Sequence, residues 1–393
     1  MGDTRSEAVL TEARNVLVAS ADQPLGLDFF GAVMPELPAD LSGKTLYLTG
    51  DVARLHGKLA GAARVFAIDG LAWNYGSLDR VHLGRVPIRT SGMGVYYRRF
   101  FDDHDYFRRI VAEHAFQTLT ESVKPSKAHR TGIYLTPVRH EGDELHFRLL
   151  RCSTNLSGPT ENFCATDRHI VDALNEEASV IFDQHAPLNH VLAQVYPSTP
   201  KSDEHKETKA RISAHADKTK DMPRSGVMAF CTFYDGLGAL APLPDDPFDH
   251  GHKRRSGLTK LHFRRKEPVQ PRAELTADFS VTLYPGSAFF MPLSTNRLYT
   301  HELQPSVLNA EMLPTRLGYV VRCSKTEAVH TLGRTFLALN GQRVPLEAPT
   351  QEGMMALREL YATENRSDAF VDYGDRFRFS MNGGDYEAPD PKA

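Results

Sequence analysis

The sequence predicts an α+β fold in which short strands outnumber helices. Apolar and β-branched runs such as TLYLT, ARVFAI, VMAFCTFY and LGYVV recur along the 393 residues and are bounded by glycine, proline or aspartate. Two longer segments, DRHIVDALNEEASVIF and QEGMMALRELYATE, instead repeat apolar residues at the spacing of a helix. This mixture favours one large β-rich core with flanking helices.

Composition excludes several classes of protein. With 46 Lys and Arg against 49 Asp and Glu, the net charge is -3, so no overall field draws the chain to nucleic acid or to an anionic membrane. No apolar run approaches the roughly 20 residues that span a bilayer. The four cysteines show no CxxC pairing, which argues against a zinc ribbon and is typical of a reduced cytoplasmic enzyme; they are Cys152, Cys164, Cys231 and Cys323.

We expect three regions along the chain. Residues 1–150 form an N-terminal α/β extension, which opens with a short helix in SEAVLTEARNVLVAS and continues with strands in TLYLTGD, ARVFAIDG and VHLGRVPIR. Residues 151–330 form the core, and residues 331–393 add a hairpin around Asn340-Gly341, a helix and a tail. In the extension, Trp73 and Tyr75 are more consistent with packing than with stacking on a substrate, and His104 and His114 with solvated or core-edge histidines.

The core contains a pattern that indicates a metal site. In ARISAHADKTK, His215 and Asp217 are two residues apart, so an extended chain projects both from one face. His301, in NRLYTHELQPS, offers a second imidazole after the apolar run VTLYPGSAFFMPL. Two histidines and one carboxylate can occupy one face of an octahedral ion and leave three positions open, as in non-haem Fe(II) oxygenases.

A pair of arginines follows the second histidine. Arg316 and Arg322 are six residues apart in RLGYVVR and therefore lie on the same face of one predicted strand. An oxygenase of this kind uses a 2-oxo acid co-substrate, which needs a fixed cation for its distal carboxylate. Guanidinium groups suit that task because they bind carboxylates through two parallel hydrogen bonds.

The phrases QVYP, HADK, RLYTHEL and RLGYVVR, in that order over residues 189–324, make the chain resemble the AlkB-like branch of the Fe(II)/2-oxoglutarate dioxygenases. The resemblance implies a double-stranded β-helix, or jelly roll, with Fe(II) bound by His215, Asp217 and His301. It further implies 2-oxoglutarate bound by Arg316 and Arg322, with Tyr196 as a hydrogen-bond donor to it. Gln194 stands where the family often has Asn, and Gly318 where the DNA-repair members often have Asn.

A basic stretch separates the two parts of the predicted metal site. Residues 238–274 interrupt the β pattern, and seven Lys and Arg lie from Lys253 to Lys266. We interpret the segment as an inserted loop or flap. Its charge fits a solvated face or a contact to a phosphate-bearing or carboxylate-bearing substrate.

The sequence therefore predicts a dioxygenase that consumes O2 and 2-oxoglutarate, releases succinate and CO2, and hydroxylates a C–H bond of a small-molecule or amino-acid-like substrate. An AlkB-type demethylase or hydroxylase acting on nucleic acid through the basic stretch is one alternative. A non-catalytic jelly-roll module that holds a metal is another, and a zinc hydrolase using the same ligands is a third.

Overall fold

The computed structural model describes residues 15–18, 32–49, 58, 61–62, 64–69, 88–90, 94–102, 105–120, 127–151, 156–182, 185–203, 206–244, 246–271 and 277–391. The strands within these residues are β1 Asn15–Val18, β2 Ala32–Met34, β3 Thr45–Thr49, β4 Arg64–Asp69, β5 Ile88–Thr90, β6 Gly94–Tyr97, β7 Gln117–Thr120, β8 Lys127–Thr136, β9 Arg139–Glu141, β10 Glu144–Leu149, β11 Glu161–Asn162, β12 His190–Tyr196, β13 Ile212–His215, β14 Val227–Asp235, β15 Ala241–Leu243, β16 Asp246–His252, β17 Arg255–Ser256, β18 Lys260–Arg265, β19 Asp278–Thr282, β20 Ser287–Pro292, β21 Tyr299–Gln304, β22 Thr315–Arg322, β23 Thr326–Thr331, β24 Arg334–Leu339 and β25 Gln342–Pro345. The α-helices are α1 Tyr106–Glu113, α2 Ala165–Ile181, α3 Leu293–Leu298 and α4 Gln351–Arg366.

Two antiparallel sheets form the centre of the molecule. Part of the large sheet has the order β12-β22-β14-β20, and the small sheet has the order β13-β21-β18-β19. The chain visits the two sheets in turn between β12 and β22, and every pair of neighbouring strands in these two orders is antiparallel. Eight strands shared in this way between two sheets are the arrangement of a jelly roll. The predicted α+β class with mainly antiparallel strands is confirmed.

The main core lies between the two sheets. Phe230 and Phe289 from the large sheet belong to the same buried cluster as Phe263, Phe279 and Leu303 from the small sheet. Strand β14 is buried along almost its whole length, which explains its unbroken apolar sequence. Strands β18, β19 and β21 of the small sheet, in contrast, bury only alternate residues because their other face is turned towards water.

Helix α2 covers the other face of the large sheet, as its apolar spacing predicted. Ile170, Val171 and Leu174 pack in one cluster with Tyr319 and Val321 of β22. The helix begins at a polar turn in which the backbone amide of Cys164 donates to the Asp167 carboxylate at 2.8 Å. The sheet carrying the arginine pair is therefore fixed from behind by a packed helix.

The N-terminal strands extend the large sheet. Strand β6 pairs with β20, and beyond it the order continues β5-β4-β3-β1-β2, with parallel pairing among β1 to β5. The predicted helix over SEAVLTEARNVLVAS was wrong for residues 15–18, which form β1 between two parallel neighbours. Sheet pairing overrides helical spacing in this short β-branched stretch. The rest of that predicted helix, together with Trp73, Tyr75 and His104, lies outside the described residues.

The described part of residues 238–274 is not a loop that interrupts the β pattern. It contains a small ribbon, β15 to β17, followed by β18, which is an inner strand of the small sheet and pairs with β21. On β18 the apolar Leu261 and Phe263 are buried while Lys260 and Arg264 are exposed. The exposed cations of this segment lie partly on the outer face of β18 and partly at the turn between β16 and β17, which is why the segment resembled a loop.

The C-terminal residues are joined to earlier parts of the chain. Strands β23 to β25 continue a sheet with β10 and β9, so ladders cross both boundaries of the predicted three-region division. That division stays a prediction. Among the described residues, the helices are too short or too polar to cross a bilayer.

Candidate metal and co-substrate site

The three predicted metal ligands lie side by side. His215, at the end of β13, pairs directly with His301 on β21, and Asp217 follows two residues after His215. Nε2 of His215 lies 3.5 Å from Asp217 Oδ1, and Nε2 of His301 lies 3.9 Å from the same oxygen. The three donor atoms, one from each residue, therefore all lie within 4.8 Å of one another. The cross-strand register, which the sequence does not reveal, brings the two distant histidines together.

Both imidazoles direct Nε2 towards Asp217. Nδ1 of His215 lies 2.9 Å from the carbonyl oxygen of Ser213, which accepts its proton and leaves the Nε2 lone pair available. The His301 ring is buried against Phe230 and Phe263, at centroid distances of 5.4 and 5.9 Å. Burial, followed by the neighbouring His215, lowers the pKa of His301 to about 3. His301 is therefore held as a neutral imidazole, the form that binds a metal.

The two oxygens of the Asp217 carboxylate have different neighbours. Oδ1 faces the two histidines, while Oδ2 accepts hydrogen bonds from Nε and Nη2 of Arg322 at 2.9 and 2.7 Å. Burial alone would raise the pKa of Asp217, but the charge of Arg322 holds it well below its usual value. The group is thus an anion with one oxygen directed to the histidines. The predicted contact between Arg322 and 2-oxoglutarate stays a prediction.

Arg316 lies on the same face of β22 as Arg322, but its guanidinium is largely unpartnered. Its Nη2 lies 3.3 Å from Oγ1 of Thr232, and among the described residues its Nε and Nη1 have no hydrogen-bond partner although they are buried. The guanidinium lies over Gly318, where an added Cβ would come within 3.0 Å of Nη1. Buried guanidinium donors without a partner are costly, so this position is suited to an anionic ligand.

Tyr196 and Gln194 lie beside Arg316. On the neighbouring strand β12, Tyr196 pairs with Arg316 and Gln194 pairs with Gly318. The Arg316 guanidinium lies 5.3 Å from the Tyr196 ring centroid. The Tyr196 hydroxyl donates to Gln194 Oε1 at 2.8 Å, so its proton is directed to that amide. The role of Tyr196 as a donor to 2-oxoglutarate stays a prediction and requires this hydroxyl to turn.

An asparagine that the sequence analysis missed fixes the backbone of the metal loop, which we define as residues 216–221. The amide of Asp217 donates to Oδ1 of Asn296 at 2.7 Å, and Nδ2 of Asn296 donates back to the Asp217 carbonyl at 2.8 Å. Asn296 is buried on α3. From helix α4, Oδ1 of Asn365 accepts the Ala216 amide at 2.7 Å. No motif or spacing in the sequence signals these contacts.

The end of α4 supports the same loop. The buried carboxylate of Glu364 accepts the Thr219 amide at 3.1 Å and the Tyr373 hydroxyl at 2.5 Å. Burial raises the pKa of Glu364. Lys266, the last cation of the basic stretch, is also buried, and its Nζ donates to the carbonyls of Glu364 and Ser367 at 2.7 and 3.1 Å. Lys266 therefore completes the C-terminus of α4.

Five of the other cations of the basic stretch point to solvent in two places. Lys253, Arg254 and Arg255 are exposed at the turn between β16 and β17, and Lys253 and Arg254 adopt positive φ values of 47° and 63°. Lys260 and Arg264 project from the outer face of β18, away from the side on which Phe263 meets His301. These side chains do not line the metal site.

A second group of ionisable residues surrounds His114. Its Nδ1 lies 2.9 Å from Glu161 Oε2 and its Nε2 lies 2.7 Å from Asp167 Oδ2, while Oδ1 of Asp167 accepts the Tyr319 hydroxyl at 2.7 Å. Although burial would lower it, the hydrogen bonds that His114 donates to Asp167 and Glu161 raise the pKa of His114 to about 9. His114 is thus a buried cation that joins α1 to α2. The expectation of a solvated or core-edge histidine was wrong because its neighbours come from distant parts of the chain.

Comparisons with known proteins give no family: no family model and no curated protein matches this chain. Among solved structures it is similar to the non-haem α-ketoglutarate-dependent epimerase SnoN from nogalamycin biosynthesis, with a TM-score of 0.36 and 10% identity over 61% of this chain and 81% of that chain. It is also similar to OsALKBH1, with a TM-score of 0.33 and 13% identity over 59% of this chain and 97% of that chain. Both TM-scores are low, so neither similarity indicates the function of this chain.

Proposed function

We propose that this protein is a non-haem Fe(II)/2-oxoglutarate-dependent dioxygenase that hydroxylates a C–H bond of a small-molecule or amino-acid-like substrate, with succinate and CO2 as co-products. The observation that carries the proposal is the shared carboxylate of Asp217. One of its oxygens faces Nε2 of His215 and of His301, and the other is held by Arg322. Two imidazoles and one oxygen fit ferrous iron and leave positions for a co-substrate and dioxygen.

The buried donors of Arg316 support 2-oxoglutarate as the co-substrate. Arg316 would bind the distal carboxylate through the Nε and Nη1 donors that lack a partner among the described residues. Tyr196 and Gln194, on the adjacent strand, would direct a hydroxyl and an amide to the same carboxylate or to the keto acid. Ferrous iron bound by the triad supplies the capacity to bind and reduce dioxygen as 2-oxoglutarate is decarboxylated.

The protein's own part is to position and shield the reacting groups. Phe230 and Phe263 pack on the His301 ring and keep water from that side of the centre. The side chain of His215 is 37% exposed, whereas that of His301 is 6% exposed. We infer that substrate approaches from the His215 side, since the opposite side is closed by the core.

Succinate release tests the enzyme class. Purified protein loaded anaerobically with Fe(II) should convert 2-oxoglutarate to succinate once oxygen is admitted. His215→Ala should abolish the conversion because it removes a ligand, and Lys260→Ala on the outer face of β18 should leave it unchanged. The proposal would be contradicted if His215→Ala still converted 2-oxoglutarate to succinate. It would also be contradicted if wild-type protein bound Fe(II) but produced no succinate. Screening metabolite and oligonucleotide pools for a mass gain of about 16 daltons identifies the substrate.

A second candidate, oxidation of nucleic acid, is favoured by one observation. Lys253 and Arg254 occupy left-handed backbone positions at an exposed turn, a conformation usually taken by glycine or asparagine. Retaining cations there suggests that they contact a polyanion. Binding to a single-stranded oligonucleotide should then weaken steeply with salt and be reduced in Lys253→Ala. No binding at low salt would exclude this candidate.

A further inference from the structure

A cavity of about 440 Å³ lies beside the metal loop and is lined by Thr219, Lys220 and Asn296. Helix α3, the loop before β14 and residues 369–375 form its walls, and we call it the α3 cavity. Its volume is in the range of small-molecule sites in proteins. None of the predicted metal or co-substrate residues lines it.

Three exposed cations from separate elements converge on the α3 cavity. Arg224 belongs to the loop before β14, Arg297 to α3, and Lys325 to the connection between β22 and β23. In the part of the chain that the structure describes, none of them forms an ion pair. A fourth cation, Lys220, is buried, with Nζ 3.7 Å from Asp221. These cations form a site for an anion rather than a network of internal salt bridges.

The acidic residues around the α3 cavity do not neutralise these cations. Glu364 already accepts hydrogen bonds from Thr219 and Tyr373. Asp372 accepts the backbone amide of Gly374 at 3.0 Å within its own turn. Asp375 is exposed at the rim. Four cations and three carboxylates therefore line the α3 cavity, and Arg224, Arg297 and Lys325, which form no ion pair among the described residues, are the groups available to a ligand.

One wall of the α3 cavity is flat and apolar. The Phe370 side chain is 52% exposed, and the Arg224 guanidinium lies 4.0 Å from its ring centroid. Leu293 and Val371 add apolar surface. A large aromatic residue left half in water gains contact area when a planar or apolar group covers it. The ligand should therefore carry an apolar body as well as an anionic group.

The α3 cavity also touches the residues that fix the metal loop. Asn296, Thr219 and Glu364 all line it, and Asn296 holds the Asp217 backbone through two hydrogen bonds. A ligand that packs on Asn296 therefore restricts the loop that carries a predicted metal ligand. Two sites that share a structural element in this way influence each other's affinity reciprocally.

We propose that the α3 cavity binds a small organic anion, a carboxylate or phosphate on a planar apolar body, and that its occupant raises the metal affinity of the His215, Asp217 and His301 site. The anion meets Arg224, Arg297 and Lys325, and the apolar body lies on Phe370. The binding is independent of the proposed oxygenase activity, whereas the coupling rests on the proposed metal centre.

Phenyl phosphate is a suitable probe because it combines an anion with a ring. Calorimetric titration of metal-free protein should give a Kd in the millimolar range or tighter, with inorganic phosphate and benzyl alcohol each binding at least about tenfold more weakly. Arg297→Glu, Lys325→Glu and Phe370→Ala should each weaken phenyl phosphate about tenfold. The control substitutions at exposed positions outside the cavity, Lys260→Glu and Val307→Ala, should leave the Kd for phenyl phosphate unchanged. No binding up to about 10 mM, or equal binding by all variants, overturns the site.

Two further measurements separate this site from the proposed co-substrate site. Arg316→Met, which removes the buried guanidinium on β22, should bind phenyl phosphate as wild type does. Loss of binding in that variant would place the probe on β22 and overturn the proposal. Co(II) binding, followed by its absorption spectrum, should tighten at least about threefold when phenyl phosphate saturates the cavity. If the Co(II) affinity is unchanged with phenyl phosphate bound, the proposed coupling between the two sites is wrong, but phenyl phosphate binding in the α3 cavity is not contradicted.

Discussion

The absence of a side chain at Gly318 determines where the Arg316 guanidinium can lie. The guanidinium occupies the space above Gly318, with Nη1 and Nη2 at 3.0 and 3.1 Å from the position that a Cβ would take. These atoms are the end of a long flexible side chain, so a larger residue at 318 would displace Arg316 rather than unfold the strand. The residue that departs from the pattern of the DNA-repair enzymes thus has a structural reason in this chain.

We predict that Gly318→Ala raises the KM for 2-oxoglutarate about tenfold, a loss of roughly 1.4 kcal/mol, because the Arg316 guanidinium must move. Co(II) affinity should be unchanged, since the triad is untouched. Gly238→Ala is a matched control, because a Cβ at this exposed glycine meets nothing within 4 Å. An unaltered KM in Gly318→Ala would show that Arg316 does not bind the co-substrate.

At the same scale, His114 links stability to pH. Its ring bonds to Glu161 and Asp167, and Glu113, Cys164 and Tyr319 also face this group. The pKa of His114 rises from 6.5 to about 9 on folding, because the opposing effect of burial is outweighed by the hydrogen bonds that His114 donates to Asp167 and Glu161. Since the folded value is the higher one, the stabilisation is complete below pH 6.5 and is lost as pH rises through about 9.

His114→Gln should therefore lower the free energy of unfolding by about 3 kcal/mol near pH 6 and by much less near pH 10. Urea unfolding at a series of pH values measures the difference between variant and wild type. The control, His140→Gln on the exposed strand β9, should behave as wild type at every pH. A constant difference between His114→Gln and wild type across the series would contradict a charged His114.

Among the secondary-structure elements, α3 and α4 act as supports for the metal loop. Asn296 from α3 and Asn365 from α4 hold consecutive backbone amides, those of Asp217 and Ala216, and Glu364 holds the amide of Thr219. Residues 216–221 have no strand partner of their own, so these side chains replace the missing ladder. The position of Asp217 is thus set by two helices rather than by β13.

Asn296→Ala should reduce Co(II) affinity by about 10-fold to 100-fold, the range typical of residues that orient metal ligands. It should also cost about 2 kcal/mol of stability, because a buried amide and a buried carbonyl lose their partners. Equilibrium dialysis and urea unfolding measure the two effects. Ser294→Ala, at an exposed position of the same helix, should show neither. If Asn296→Ala bound Co(II) as tightly as wild type, the metal loop would keep its conformation without the two hydrogen bonds of Asn296.

For the whole molecule, a buried ion pair joins distant parts of the chain. Arg151 Nη2 lies 2.6 Å from Asp221 Oδ1, and Arg151 Nη1 donates to the carbonyl of Phe377 at 2.9 Å. Thr326 Oγ1 donates to the same Asp221 oxygen at 2.8 Å. Burial would raise the pKa of Asp221, but Lys220 and Arg151 keep it below its usual value. The metal loop, the end of β10 and the C-terminal segment therefore meet at one carboxylate.

Arg151→Met should lower the free energy of unfolding by about 3–5 kcal/mol, because it leaves Asp221 buried without its main partner. Arg139→Met, at an exposed position of β9, should change it by no more than about 0.5 kcal/mol. Differential scanning calorimetry provides the comparison. If Arg151→Met were as mild as its control, the C-terminal segment would not be coupled to the core through this pair.

The sequence by itself predicted the metal and co-substrate residues of the candidate site, and it identified most of the core strands. Arg316 and Arg322 could be chosen because a strand places alternate residues on one face, and this periodicity is local, whereas Asp217 lies in the metal loop beyond the end of β13. Local sequence patterning also identified α2 through its apolar stripe and β14 through its continuous apolar run. It failed for β18, where cations on the solvent face concealed a strand that pairs with β21.

Only the tertiary structure decided which distant groups meet. Asn296 reaches Asp217 across 79 residues, Asn365 reaches Ala216 across 149, and His114 reaches Asp167 across 53. None of these contacts has a spacing that a local pattern could reveal, because sheet register and helix docking, rather than chain connectivity, bring the partners together. The sequence therefore specified the ligand types, and packing specified their geometry and their supports.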